Sequence, residues 1–216
     1  MIQLSKERII DTKPEDVRTQ KRRKKIEKIR RKAARVFSEK GFIASSLSDV
    51  SRAAGLSKGG IYHYFSTKDE LLFLIADNYM DVILNGVEKE IGKIQEPEEK
   101  IRYFVKRHIR LYSENVHESH VIFHDFYDLS PGKLKIVQEK TKKYIEILAH
   151  ALDDYFAGSK VAPTTMKVAI LSLVGMVNWI YWWYDPKGSM KPDELSDTIC
   201  DIFLYDLKSR LYRDPK

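Results

Sequence analysis

The seven prolines of this 216-residue chain stand at Pro14, Pro97, Pro131, Pro163, Pro186, Pro192 and Pro215. The long stretches between them carry apolar residues three and four positions apart. Proline has no backbone N–H and a fixed φ, so it opens helices and does not continue them. Apolar residues at that spacing form one face of a 3.6-residue helix. No stretch alternates apolar and polar residues between turn residues, so no sheet is expected. The pattern predicts an all-α chain of about nine helices, over residues 17–40, 46–54, 57–64, 68–92, 97–115, 118–128, 131–158, 163–184 and 192–212. In the first of these Ile26, Ile29, Ala33, Val36 and Phe37 share a face, and Gly41 supplies a stop.

The charge is uneven along the chain. Residues 1–70 hold 18 Lys and Arg against 9 Asp and Glu, whereas the remainder holds 20 against 22. The net charge of +7 therefore belongs to the first third, and a polyanion is its natural partner. No apolar run reaches the ~20 residues of a membrane span, and residues 1–16 lack the apolar core of a secretory signal. No membrane partner and a cytoplasmic location are expected. Cys200 is the single cysteine, which rules out an intrachain disulfide or a cysteine metal cluster within one chain.

The stretch Gly41 to Leu72 reads GFIASSLSDVSRAAGLSKGGIYHYFSTKDELL. Two short helices joined at Ala54-Gly55-Leu56 make a helix-turn-helix, with Gly55 at the turn. Ser46 and Ser57 are placed as N-caps, and Asp49 gives the first a capping-box start. Leu47, Val50, Leu56, Ile61 and Phe65 supply the apolar contacts between these helices, and Tyr64 reads as a core aromatic beside Phe65. The next helix presents Ser57, Lys58, Gly59, Tyr62 and His63. Two adjacent glycines inside a short helix cost roughly 1 kcal/mol each against alanine, which close approach to another surface would explain. Its free N–H groups suit a phosphate. Lys68 opposes the dipole of the helix it starts, which argues for a partner.

Over about 45 residues, 26–72, this stretch resembles the DNA-binding domain of TetR-type repressors. It keeps the spacing of an apolar helix, Lys-Gly-Phe, a Ser/Thr-rich turn, Ala-Gly-Leu-Ser-Lys-Gly, Tyr, Phe, Lys and a leucine pair. The resemblance implies that Tyr62 and Lys68 hold phosphates of double-stranded operator DNA, and that Ser46 and Ser57 contact its backbone. It places Lys58, Gly59, Gly60 and His63 toward the major groove. Ser51, where the family more often has alanine, and Gly60, often larger in relatives, depart from the pattern. The run Gln20 to Lys25 has two readings, a solvated helix start or a basic arm on phosphates.

By the same resemblance, residues 1–66 form the arm and DNA-binding domain, and 67–216 a helical bundle that dimerises and holds an effector. Ala169, Ser172 and Gly175, beside Met176 and Trp179, put small residues at close spacing on one helix. Leu195, Ile199, Ile202, Phe203, Leu207 and Leu211 make an apolar stripe on the next. Ala169, Ser172, Gly175, Met176, Trp179, Ile199 and Phe203 are the expected homodimer interface, with intrachain packing as the alternative.

Residues 178–188, NWIYWWYDPKG, resemble the branch of the family that responds to fatty acyl-CoA or other CoA thioesters. The expected lining of the effector site is His108, Tyr112, His120, Phe123, Phe126 and Tyr127, with Trp179 and Trp183. Arg102, Lys106, Arg107 and Arg110 suit an anionic head group or a wet helix face. His117, His120 and His124 share a helical face, the outline of a metal sensor and the alternative to a small-molecule effector. No cofactor is called for. An enzyme is the rival from another class, but there is no phosphate loop, nucleophile elbow or distinctive carboxylate pair. An architectural DNA-binding protein is a third reading.

Overall fold

The computed structural model describes residues 17–157 and 161–211, with side chains to Tyr205. Residues 1–16 of the basic arm and the stripe residues Leu207 and Leu211 lie outside the described side chains. The described residues form ten α-helices, one 3-10 turn and no strand. They are α1 (Val17–Lys40), α2 (Leu47–Ala54), α3 (Lys58–Tyr62), α4 (Lys68–Leu84), α5 (Val87–Ile91), α6 (Pro97–Glu114) and α7 (Val116–His124). After the 3-10 turn Phe126–Asp128 come α8 (Pro131–Tyr155), α9 (Pro163–Trp183) and α10 (Pro192–Leu211).

The expected helix 68–92 is two helices. Asn85 leaves the helical region and Gly86 takes φ +74°, which ends α4 and starts α5. Arg107 closes that end: one guanidinium nitrogen donates to the carbonyls of Val82, Ile83 and Asn85 at 3.1, 3.2 and 2.8 Å. Prolines open α6, α8, α9 and α10 as their fixed φ favours.

The buried apolar residues make one continuous cluster from Ile29 to Leu204. Helix α1 buries Ile29, Ala33, Ala34 and Phe37 against α2, α4 and α7. Helix α10 packs on α6, while α4 and α6 both meet α8. Helix α9 buries only Ala169, Leu173, Val177 and Ile180. At 21 residues it is also, among the described residues, long and apolar enough to cross a membrane by length and composition. The expectation that no segment reaches that length is corrected here, since Lys167 and Asn178 interrupt the apolar run without ending the helix. Its outer face is apolar and open, as described below.

Candidate nucleic-acid interface and effector cavity

The turn geometry of α2 and α3 follows from a few residues. Ser46 and Asp49 form a complete capping box: Asp49 N donates to Ser46 Oγ at 3.2 Å, and Ser46 N to Asp49 Oδ2 at 2.9 Å. Lys40 Nζ adds a 2.9 Å bond to the same carboxylate, and these partners hold Asp49 down to about 2. Gly55 ends α2 with φ +66°, and Leu56 N returns to Ser51 O at 2.8 Å. Ser57 Oγ caps α3 by accepting from Gly60 N at 3.0 Å.

The two adjacent glycines have different reasons. A Cβ on Gly60 would lie 3.1 Å from Ser57 Oγ, so the cap itself crowds that position. Gly60 thus has a reason within the chain. A Cβ on Gly59 meets nothing within 4 Å, and its φ is not positive. No feature inside the chain calls for a glycine there. Tyr62 is 52% exposed while Ile61 is fully buried, so α3 shows Lys58, Gly59, Tyr62 and His63 to solvent. Phe65 is buried and Tyr64 half-buried, as expected of core aromatics. At five residues α3 is shorter than expected, and its own dipole is correspondingly small.

Two implied phosphate ligands have other work. Lys68 Nζ donates to the carbonyls of Phe42, Ile43 and Ser45 at 2.7, 2.9 and 3.1 Å, and lies 4.4 Å over the Phe42 ring. The cation that opposes its own helix thus finds its partner in the loop between α1 and α2, and the inference to an outside partner is corrected. In Ser46 both the N–H and the hydroxyl donate to Asp49, at 2.9 and 2.7 Å, so the capping box uses its donors.

The second site is a cavity of about 220 Å³ between α4, α6, α7, α8 and α9. His108, Phe123, Phe126 and Tyr127 line it as the sequence suggested. Sequence reasoning missed Tyr79, Met80 and Ile83 of α4, Phe104 of α6, Tyr144 of α8 and Asn178 of α9. Their only linear signal is membership of apolar helix faces, which core residues share. Tyr127, 78% exposed, stands at the mouth.

Four expected lining residues lie elsewhere. Tyr112 is buried against α9, its hydroxyl donating to Tyr184 O at 3.3 Å. His120 stacks on His124 at 5.6 Å and meets the Tyr181 ring edge-on. Trp179 and Trp183 are 58% and 55% exposed on the outer face of α9, because helical phase turns them away from the bundle. The cations of α6 bind protein groups: Arg102 to Glu98 and Asp201, Lys106 and Arg110 to Asp193, and Arg107 to the end of α4. Two of the three histidines of α7 have separate polar partners: His117 Nδ1 lies 2.7 Å from Ser38 Oγ and His124 Nδ1 2.8 Å from Asp125. Among the described residues no three potential ligands converge on a metal position.

The expected dimer residues also divide. Ala169, Ile199 and Phe203 are buried within the chain and pack the bundle. The open face of α9 runs through Val168, Ser172, Gly175, Trp179 and Trp182 at alternating four- and three-residue steps. That is a 3.5-residue seam of the kind two paired helices share. Leu171 flanks it, Ile202 and Tyr205 of α10 are also exposed, and a Cβ on Gly175 meets nothing. Met176 is half-buried.

The interface and the cavity are joined by α4 and α7, both packed on α1. Arg30 of α1, nearly buried, donates to Glu118 of α7 at 3.1 Å and to Glu27 at 2.8 Å. Ser119 of α7 donates to the fully buried Tyr79 hydroxyl of α4 at 2.7 Å. One turn on, Ile122 and Phe123 of the same α7 line the cavity.

Residues 29–75 match the family model for bacterial regulatory proteins of the tetR family. Residues 95–207, more than half of the chain, match the tetracyclin repressor-like C-terminal domain. The HTH-type transcriptional regulator HbdR of Aromatoleum is 33% identical over 73 residues, 34% of this chain and 32% of that one. The chain thus spans about a third of that relative's length in the match. The HTH-type transcriptional repressor KstR2 of Mycolicibacterium smegmatis is 20% identical over 177 residues, 80% of this chain and 85% of that one. Among solved structures, AibR in complex with isovaleryl coenzyme A and operator DNA superposes with a TM-score of 0.74. It is 26% identical, and the match covers 82% of this chain and 97% of AibR.

Proposed function

The chain belongs to the TetR family of bacterial regulatory proteins, and from that premise we propose a homodimeric repressor that leaves a palindromic operator when a small effector fills the α4–α9 cavity. The family consists of DNA-binding transcriptional regulators and not of enzymes. One observation carries the assignment of α3 as reading helix: Gly59 has no reason inside the chain, on a helix that otherwise satisfies its own caps. Lys58, Tyr62 and His63 stand beside it in solvent. A groove would supply the missing reason, since a side chain at Gly59 would hold the backbone away from it. The work is done in the cytoplasm, where the operator is.

In this reading two copies pair along the α9 seam with Ile202 and Tyr205 beside it. Their two α3 helices then sit about one DNA turn apart, ~34 Å. The effector is a short apolar or amphipathic group and not a long chain. A cavity of 150 Å³ holds benzene, so about 220 Å³ takes roughly 8–10 non-hydrogen atoms. A short-chain acyl thioester such as the ligand named for AibR fits that size, with its coenzyme portion outside near Tyr127. Filling the cavity presses Met80 and Ile83 of α4 and Phe123 of α7, and both helices bear on α1. Coupling of this kind is typically ~1–3 kcal/mol, and operator must weaken effector binding by the same factor.

The test is selection of duplexes from a random library by the full chain, followed by Gly59→Leu. The chain selects a palindrome, with affinity falling steeply in salt. Gly59→Leu loses about a hundredfold in operator affinity, while its melting temperature holds or rises, since leucine favours helix by about 1 kcal/mol over glycine. Selection of no common sequence, or full operator binding by Gly59→Leu, removes α3 as the reading helix.

A further inference from the structure

We infer that the cavity recognises a carbonyl oxygen on an uncharged apolar body, through a hydrogen bond donated by His108 Nε2. This deepens the reading above and rests on it for treating the cavity as the effector site.

One polar atom of the cavity wall has no partner. His108 is 3% exposed and lines the cavity, and its Nε2 is buried with no hydrogen bond. Leaving such a group unpaired is destabilising, so a chain that keeps it in a wall without charged residues has a use for it. Phenylalanine would pack there at no such cost. The ring is held in place: Tyr144 stacks on it at 6.0 Å and on Phe104 at 4.5 Å, and Phe123 closes in at 6.2 Å.

Burial lowers the His108 pKa to about 4, so the imidazole is neutral near pH 7, with one donor and one acceptor. Which nitrogen carries the proton follows from Tyr144. Its buried hydroxyl lies 3.3 Å from His108 Nδ1, the partner recorded for it among the described residues. In the proposed arrangement the phenol O–H donates to Nδ1. The proton of His108 therefore sits on Nε2, and Nε2 is a donor. A donor selects an oxygen acceptor.

The rest of the wall decides the charge. None of the residues that line the cavity is Lys, Arg, Asp or Glu. A carboxylate or phosphate inside would lose its water and gain no counter-charge, which is prohibitive in an apolar wall. The group that enters is neutral, carries its acceptor as a ketone, ester, thioester or amide carbonyl, and is otherwise apolar.

Acetophenone and α-methylstyrene test this directly. They share one shape and nine non-hydrogen atoms, and differ in C=O against C=CH₂; benzoate is the charged arm. Calorimetric titration of the full chain measures affinity, and gel retardation separately measures release of the selected operator. Acetophenone should bind at least about tenfold tighter than α-methylstyrene, with benzoate weakest. In His108→Phe the ratio should fall to about one, with binding of α-methylstyrene kept or improved. In Tyr144→Phe, which keeps the ring but frees the imidazole tautomer, the ratio should shrink and not vanish.

Equal affinity for the two isosteres, a preference that survives in His108→Phe, or binding of none of the three overturns the inference. The wild-type pair decides even if a variant fails to fold. Tight, carbonyl-dependent binding without operator release would keep the inference and sink the repressor mechanism.

Discussion

The helix-turn-helix and the cavity make their function from opposite kinds of residue. Around α2 and α3 every residue that breaks a helix rule finds a local cause except one. Gly55 needs its left-handed backbone, Gly60 makes room for the Ser57 cap, and Lys68 serves three carbonyls of the preceding loop. Gly59 is left over, and it is left over on the surface. Around the cavity no residue breaks a rule in the sequence. His108 looks like any histidine on an amphipathic helix, and its unpaired nitrogen exists only because α6, α7 and α8 close around it. The lesson is that a surface site shows as a local exception, whereas an interior site shows as an unmet partner in a well-packed wall.

The joint between the two regions offers the largest effect by which to test that contrast. Arg30→Met leaves Glu118, whose side chain is 12% exposed, without its counter-charge. Breaking a buried pair from one side costs about 3–5 kcal/mol, read in urea unfolding. Arg30→Met with Glu118→Leu should recover much of that, because the stranded charge is gone. A loss under about 1 kcal/mol in the single variant would mean that α1 and α7 are held by apolar packing alone.

The cavity should next show itself in acid. The usual histidine value is 6.5, and burial lowers it to about 4 in the folded chain. Below 6.5 the unfolded chain binds a proton that the folded chain refuses, so stability falls as pH drops from 6.5 to about 4, and this contribution is constant above 6.5. The loss is about 3 kcal/mol from this one group. His108→Phe should remove that part of the acid limb, seen as a smaller drop in urea midpoint between pH 7 and 4.5. An unchanged limb would mean that His108 takes up its proton while folded.

The smallest effect belongs to the reading unit. Ser46→Ala removes the capping hydroxyl of α2, a change of typically ~1 kcal/mol in thermal or urea stability. Asp49, held at about 2, adds support above its usual 3.8 that fades as pH falls toward 2. If Ser46→Ala left stability intact and reduced operator affinity instead, Ser46 would be a DNA contact and the contrast drawn here would weaken.

Legibility followed the range of the forces involved. Proline starts, glycine stops and serine caps act within four residues, and nearly all helices were read from them. The expected helix 68–92 failed at Gly86, where the stop is completed by Arg107 from another helix. Of the eight expected residues, four line the cavity and four lie elsewhere. The tryptophans of α9 were placed inside because aromatic density suits a wall, but helical phase puts Trp179 and Trp183 outside. Ala169, Ile199 and Phe203 lie on the buried side for the same reason: a sequence shows that a face is apolar, and not which of two apolar faces the bundle takes.

By itself the sequence determined an all-helical chain, a helix-turn-helix with its caps and turn, and a basic first third. These depend on backbone propensity, short-range hydrogen bonds and charge count. Only the tertiary structure decided that Lys68 is internally bound, that Gly59 and not Gly60 is the unexplained glycine, and that His108, in the wall of a small cavity without charged residues, has a buried nitrogen without a partner. Those facts depend on what lies within 4 Å of a side chain, and that neighbourhood is assembled from helices far apart in the chain.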